Sequence, residues 1–195
     1  DYNHPSIITW VPLNESWGVR DILHDVKQQN FALSLYYLTK ALDSTRLVST
    51  NDGWETITSD ICGIHDYEAY GEALFDKMSD RDQLLQWTAV GKMLYANNFK
   101  YNGEPVLLSE FGGIAFEDKK NENWGYNGKV KDEDEFFKRF ASLFQAINKL
   151  KYLSGFCYTQ LTDVEQESNG LLDGARNPKV SIEKIKAIVD ECTSL

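Results

Sequence analysis

The chain has 195 residues, 42% hydrophobic and 13% aromatic, enough to bury a sizeable core and too aromatic for a disordered segment. With 30 acidic and 20 basic side chains the formal net charge is -10, which excludes nucleic acid and anionic membrane surfaces as natural partners and favours a neutral ligand. The 3 cysteines, Cys62, Cys157 and Cys192, form no CxxC pair, so no disulfide framework or zinc site is indicated, and Cys62 and Cys157 are expected as small core residues.

The first apolar run, residues 7–13, is broken by one proline and ends abruptly in Asn14-Glu15. A buried parallel strand delivers polar side chains to the rim of a barrel in this way. After a loop over 16–25, the pattern predicts a helix over 26–42 with Phe31, Leu35, Leu38 and Leu42 on the stripe that packs inward. A second short strand, 46–50, is closed by Asn51-Asp52-Gly53, a turn former. Residues 54–60 leave room for one turn of helix at most before a third strand, 61–64, which ends in His65-Asp66-Tyr67.

A loop is expected over 68–79 and a helix over 80–98, with Leu84, Trp87, Val90, Gly91 and Leu94 facing inward. The fourth strand, 106–110, ends in Glu110 and runs into Phe111-Gly112-Gly113. The connection 112–130 is long for a compact domain, as functional loops are. Acidic residues 132–135 suit the first turn of a helix over 132–150 and are not read as a metal site. A fifth strand, 155–161, precedes Thr162-Asp163, and a last helix is expected over 181–192 with Ser181 as its cap.

Strands alternating with helices point to an α/β parallel sheet with right-handed crossovers. A complete (β/α)8 TIM barrel takes about 250 residues and eight strands. The five strands found here correspond to a partial barrel, about strands 4–8. No apolar stretch approaches the roughly 18 residues of a membrane span, and the first residues carry no signal-peptide pattern. The start reads as a cut through a longer protein, and the cytoplasm is the expected compartment.

The run DYNHPSIITWVPLNESWG, with SEFGG at 109–113 and YTQLTDVEQESNGLLD at 158–173, resembles glycoside hydrolase family 2, the family of β-galactosidases, β-glucuronidases and β-mannosidases. The resemblance covers nearly the whole chain. It implies the C-terminal portion of a TIM-barrel catalytic domain, without the jelly-roll and immunoglobulin-like domains and first barrel strands that usually come before it. It also implies retaining hydrolysis of a β-glycoside, with Glu15 as general acid/base, Glu110 as nucleophile and Asn14 on the sugar's 2-hydroxyl. A carbohydrate is the implied partner, with no cofactor and no metal.

A glycosidic bond breaks through an oxocarbenium-like transition state, which needs a proton on the leaving oxygen and negative charge beneath the anomeric carbon. Two carboxyls in different environments supply both. Tyr67 matches the place where related barrels put a tyrosine bonded to the nucleophile. His65, Gln160 and Asp163 are candidate sugar contacts, although a lone histidine is more often a structural one. Trp17, Trp54 and Trp124 fall in loops where rings stack on sugar faces, and Trp10 and Trp87 are read as core.

The family's β-glucuronidases carry an Asn-x-Lys clamp for the sugar carboxylate; here the candidate position reads Asn169-Gly170-Leu171, which argues against a glucuronide. A β-galactosidase-like enzyme is the working expectation, although the residues themselves do not decide between galactoside and mannoside. The competing expectation is a carbohydrate-binding or assembly fragment without turnover. Open strand edges near 7–13 and 155–161 suggest self-association.

Overall fold

The structure, a computed structural model, describes residues 1–86, 91–117 and 122–193. Its elements follow the order β1 (Thr9–Trp10), β2 (Leu13–Asn14), α1 (Val26–Leu42), β3 (Leu47–Val48), β4 (Asn51–Asp52), β5 (Cys62–Asp66), α2 (Gly71–Met78), α3 (Arg81–Leu84), β6 (Val106–Gly112), β7 (Ala115–Phe116), β8 (Lys129–Val130), α4 (Glu133–Lys149), β9 (Leu153–Thr159) and α5 (Ile182–Thr193). Strand β1 pairs with β3, β2 with β4 and β7 with β8, all in parallel, and β5, β6 and β9 form a sheet in that order. These are the alternating α/β elements expected.

The chain divides into two compact units, the first made of Asp1–His65, Arg81–Ser109 and Leu153–Gly155, the second of Asp66–Asp80, Glu110–Tyr152 and Phe156–Leu195.

In the first unit, the run 7–13 is two short strands instead of one, because Pro12 has no N–H to give a ladder. Backbone bonds from Ser49 N to Trp10 O (2.9 Å) and from Glu15 N to Asp52 O (2.9 Å) keep the register through the break. Asn51 and Asp52 are therefore strand, paired with Leu13 and Asn14, and the turn falls on Gly53 at φ +99°. Helix α1 has the expected bounds and is capped by Asp25, whose carboxylate accepts from Lys27 N.

The inner face of α1 is not the one expected. Phe31, Leu38 and Leu42 are 52%, 54% and 72% exposed, whereas Gln29 and Ala32 are buried. Gln29 fits there because its amide donates to the Ile22 carbonyl at 2.9 Å, serving a loop that a purely apolar face would leave unsatisfied. Ala32 packs with Val19, Ile22, Ile57 and Ala96. Of the helix expected over 80–98, the described residues show α3 alone; Gly91 at φ +75° and Asn98 at φ +73° depart from helical backbone, and Tyr95 pairs with Thr56. Trp87 and Val90, read as inward-facing, lie outside the described residues. Trp10 is half-buried, its indole donating to Asp43 at 2.9 Å.

The second unit packs around phenylalanine. Phe136, Phe140, Leu143 and Phe144 of α4 are buried, and Phe140 stacks on Phe136 and meets the Tyr158 ring edge-on. Asp132 caps α4 by accepting from Glu135 N at 2.9 Å, and its acidic first turn faces the positive end of the helix dipole. Helix α2 replaces part of the expected loop over 68–79. Gly71 lets it approach α4, since a Cβ there would stand 1.8 Å from the Ser142 carbonyl oxygen. Ser181 caps α5, accepting from Lys184 N at 3.3 Å. Cys62 is buried as expected, but Cys157 is exposed, on the outward side of β9. Among the described residues no helix is long and apolar enough to cross a membrane.

Candidate active site

In the first unit the polar end of the strands is built around Glu15. It follows β2 at φ +52°, and Ser16 follows at φ +60°. Two consecutive non-glycine residues in the left-handed region cost of order 1–3 kcal/mol each and need local support. Ser16 receives it: its N–H donates to Asn51 Oδ1 at 2.9 Å and its hydroxyl to Glu55 at 2.6 Å. Glu55, itself 2% exposed, is met by Lys92 at 3.0 Å. The strained turn aims the Glu15 carboxylate back at β5.

There it meets His65. The imidazole Nδ1 lies 2.8 Å from Glu15 Oε1 and Nε2 lies 3.0 Å from Asp52 Oδ2, with none of the His65 side chain exposed. Asp52 is nearly buried. Burial opposes its ionisation, but hydrogen bonds and charge from His65, with hydrogen bonds from Ser109 and Ser49, outweigh that and hold its pKa below the usual value. Two glycines make the room. A Cβ on Gly63 would stand 1.7 Å from Asp52 Oδ1, and one on Gly53 would stand 2.7 Å from His65 Nδ1. The Trp54 ring packs edge-on to the imidazole at 5.8 Å, and its indole nitrogen is buried without a hydrogen-bond partner among the described residues. Trp17 is 67% exposed and Asn14 is exposed on β2.

In the second unit the corresponding feature is Glu110 on β6. The Tyr67 hydroxyl donates to Glu110 Oε2 at 2.5 Å. Burial first, and then the bond to Glu110, push the Tyr67 phenol far above its ordinary pKa, so it remains a donor at every working pH. Tyr67 stacks on Tyr126 at 4.1 Å, and Trp124 meets Tyr126 edge-on at 5.1 Å. The two glycines after Phe111 have positive φ and lie under rings: a Cβ on Gly112 would enter the Tyr158 ring and one on Gly113 would touch Tyr126 and Tyr67.

The loop after β9 is also in this unit. The Thr159–Gln160 peptide bond is cis, and the Gln160 amide donates to the Glu167 carbonyl at 3.5 Å. Asp163 is engaged by Lys179 at 2.9 and 3.0 Å and accepts from Gly170 N at 2.8 Å, which orders the loop. Asn169 is fully buried, its amide atoms without a partner among the described residues.

Asp52 and Tyr126 are the site residues that the sequence did not single out. Asn-Asp-Gly reads as a turn. The only signal for Tyr126 was its place in an aromatic, glycine-rich loop.

The profile of the glycosyl hydrolases family 2 TIM barrel domain matches residues 1–193. The chain belongs to this family. It is thus part of a TIM barrel, as the alternating elements implied. Among solved structures, the β-D-glucuronidase of Dictyoglomus thermophilum is 16% identical with a TM-score of 0.64, covering 100% of this chain and 33% of its own. A family 2 β-galacturonidase from Eisenbergiella tayi, bound to galacturonate, is 20% identical with a TM-score of 0.67, covering 100% and 34%. The β-glucuronidase of Faecalibacterium prausnitzii is 17% identical with a TM-score of 0.64, covering 100% and 33%. The family 2 chain described here therefore spans about a third of the length of these proteins. No curated protein sequence matches it.

Proposed function

We propose that this family 2 chain carries the catalytic carboxylates of a retaining β-glycosidase, with Glu15 as general acid/base, Glu110 as nucleophile and Asn14 as partner of the sugar's 2-hydroxyl. The observation that supports it is that Glu15 directly follows β2, Glu110 lies near the C-terminal end of β6, and each meets a side-chain partner, His65 for Glu15 and Tyr67 for Glu110. Glu15 protonates the leaving oxygen while ionised Glu110 attacks the anomeric carbon. The resulting glycosyl ester neutralises Glu110, and Glu15 then removes a proton from the water that releases the sugar. Trp17, Trp124 and Tyr126 offer exposed ring surface for the apolar face of a sugar.

The substrate we propose is a neutral β-hexoside of the galactoside type. The solved neighbours are named for uronides, but at 20% identity or less they carry the fold alone. Against a uronide stands the loop after β9. Leu171 occupies the position of the clamp lysine, and Lys179, a cation of that same loop, is neutralised by Asp163.

The test uses the full-length protein and aryl β-galactoside, β-mannoside, β-glucuronide and β-galacturonide. Hydrolysis of a neutral glycoside, lost in Glu110→Gln and Glu15→Gln, with the β-anomer as first product by NMR, is the expected result. Activity that survives Glu110→Gln overturns the assignment. Sugar binding by calorimetry without turnover supports a non-catalytic carbohydrate-binding fragment instead.

A further inference from the structure

On the acid/base reading of Glu15 given above, we infer that Ser16, Asn51 and Glu55 are its positioning residues. They hold the turn that carries Glu15, and so decide where its carboxyl stands when the leaving group departs and when water attacks.

Residues 14–17 form a turn closed by Trp17 N, which donates to Asn14 O at 2.9 Å. Both central residues have positive φ, +52° at Glu15 and +60° at Ser16, the pattern of a type I′ turn. Gly, Asn and Asp are the residues that take up this geometry readily. Glutamate and serine have no such preference, so the turn must be held from outside itself.

The neighbouring chain holds it. Glu15 N donates to the Asp52 carbonyl at 2.9 Å, which fixes the turn on the end of β4. The Asn51 amide uses both ends on Ser16: Oδ1 accepts from Ser16 N at 2.9 Å and Nδ2 donates to Ser16 Oγ at 3.1 Å. Ser16 Oγ donates in turn to Glu55 Oε2 at 2.6 Å, and Lys92 meets Glu55 Oε1 at 3.0 Å. Ser16, Asn51 and Glu55 are all buried, where water does not compete for these bonds. Glu55 is itself fixed through the backbone, with Glu55 N donating to Met93 O at 2.8 Å and Thr56 N to Leu94 O at 2.9 Å. A carboxyl this deep is costly to bury, and here it is spent on the turn beneath Glu15.

The consequence is geometric. A general acid/base must stay within hydrogen-bond reach of the glycosidic oxygen and then of the attacking water. Without the Ser16 hydroxyl the turn relaxes and the Glu15 carboxyl loses that reach, while Glu110 keeps its bond from Tyr67.

Ser16→Gly tests this, because glycine takes a positive φ at no steric cost and the change removes only the bonds of the hydroxyl. In the full-length enzyme it is expected to lower kcat/KM for a phenyl β-glycoside by roughly 10- to 100-fold. The 2,4-dinitrophenyl glycoside, whose leaving group needs no proton, is expected to lose less than about threefold in kcat/KM. On that substrate kcat and KM are expected to fall together, since water still needs a base to attack the glycosyl ester. Azide needs none. It bonds to the anomeric carbon as the bond to Glu110 breaks and the electron pair returns to the carboxylate, so added azide is expected to restore kcat and to yield the β-glycosyl azide. Glu55→Ala is expected to give the same pattern, and Glu55→Gln, which keeps an acceptor for the Ser16 hydroxyl, to lose less than Glu55→Ala.

Equal losses on the two substrates with no response to azide are what a merely structural role gives, and they overturn the inference. Should Glu55→Ala fail to fold, Ser16→Gly still decides. The same assays on Glu15→Gln keep the two readings apart. If Glu15→Gln separates the substrates and Ser16→Gly does not, the positioning role alone fails; if Glu15→Gln does not separate them, the acid/base reading fails and the positioning role falls with it.

Discussion

Tyr67 donates its phenolic hydrogen to Glu110 Oε2 at 2.5 Å, while its ring stacks on Tyr126 at 4.1 Å. The donor does not titrate in the working range, so with the Glu110 carboxylate as acceptor the hydrogen bond is of the charge-assisted kind. Tyr67→Phe keeps the ring and the stack but removes the donor. Hydrogen bonds to charged groups contribute about 1.5–3 kcal/mol, so on the proposed reading of Glu110 as nucleophile the variant is expected to lose roughly 10- to 150-fold in kcat. Steady-state kinetics of Tyr67→Phe in the full-length enzyme check this, with the thermal midpoint expected within about 2 °C of wild type because the packing is unchanged.

Gly71 opens α2 against α4, its N–H donating to Ser142 Oγ at 3.1 Å. A Cβ at 1.8 Å from the Ser142 backbone oxygen cannot be relieved by turning a side chain; the two helices must separate. Gly71→Ala is expected to destabilise by about 2–3 kcal/mol, the upper part of the range for overpacking, although alanine is the better helix former. Chemical denaturation of the variant measures it, and Glu72→Ala on the exposed side of α2 is the control expected to stay within about 0.5 kcal/mol.

These two glycine and tyrosine contacts also explain what the sequence could and could not disclose. Helices α1 and α4 were legible in their bounds because each follows an aspartate and runs free of glycine and proline, although the stripe read on α1 was not its buried face. Helix α2 has no side-chain cap at Tyr70, and the contact that starts it, Gly71 on Ser142, spans 71 positions in the chain. The long helix over 80–98 failed for the opposite reason. Leu94 and Ala96 bond instead through their backbones to Thr56, in a bridge at Tyr95 that no local pattern announces. Glu15 and Glu110 stood out because each ends an apolar run, and Tyr67 because it matches the place where related barrels put a tyrosine. Asp52 did not, because Asn51-Asp52-Gly53 carries the same letters whether it turns or pairs with β2.

The pH dependence of stability follows from two sets of carboxyls, buried or half-buried, with opposite signs. Hydrogen bonds from Thr45, Arg46 and Trp10 hold Asp43 well below the ordinary carboxylate range. Asp52 and Asp60 are also lowered: burial opposes their ionisation, but His65 on one side, and Lys40 and Tyr36 on the other, outweigh it. Groups lowered in the fold stabilise it fully above their unfolded pKa of about 3.9, and that stability is lost as pH falls through the lower folded values. Asp66 runs the other way. Burial raises its pKa despite the Glu68 N–H and Lys77 at 3.6 Å, so its contribution is present below the unfolded value and is lost as pH rises through the folded one. The full-length protein is therefore expected to hold its thermal midpoint from pH 7 to 5 and to lose it steeply below about pH 4. Asp66→Asn keeps the acceptor for Glu68 and removes the cost of a buried charge, so it is expected to raise the midpoint at pH 7 and leave it unchanged at pH 3. Calorimetric scans of both proteins across this range decide the sign, and a lower midpoint for Asp66→Asn at pH 7 would mean that the Lys77 ion pair outweighs desolvation at this position.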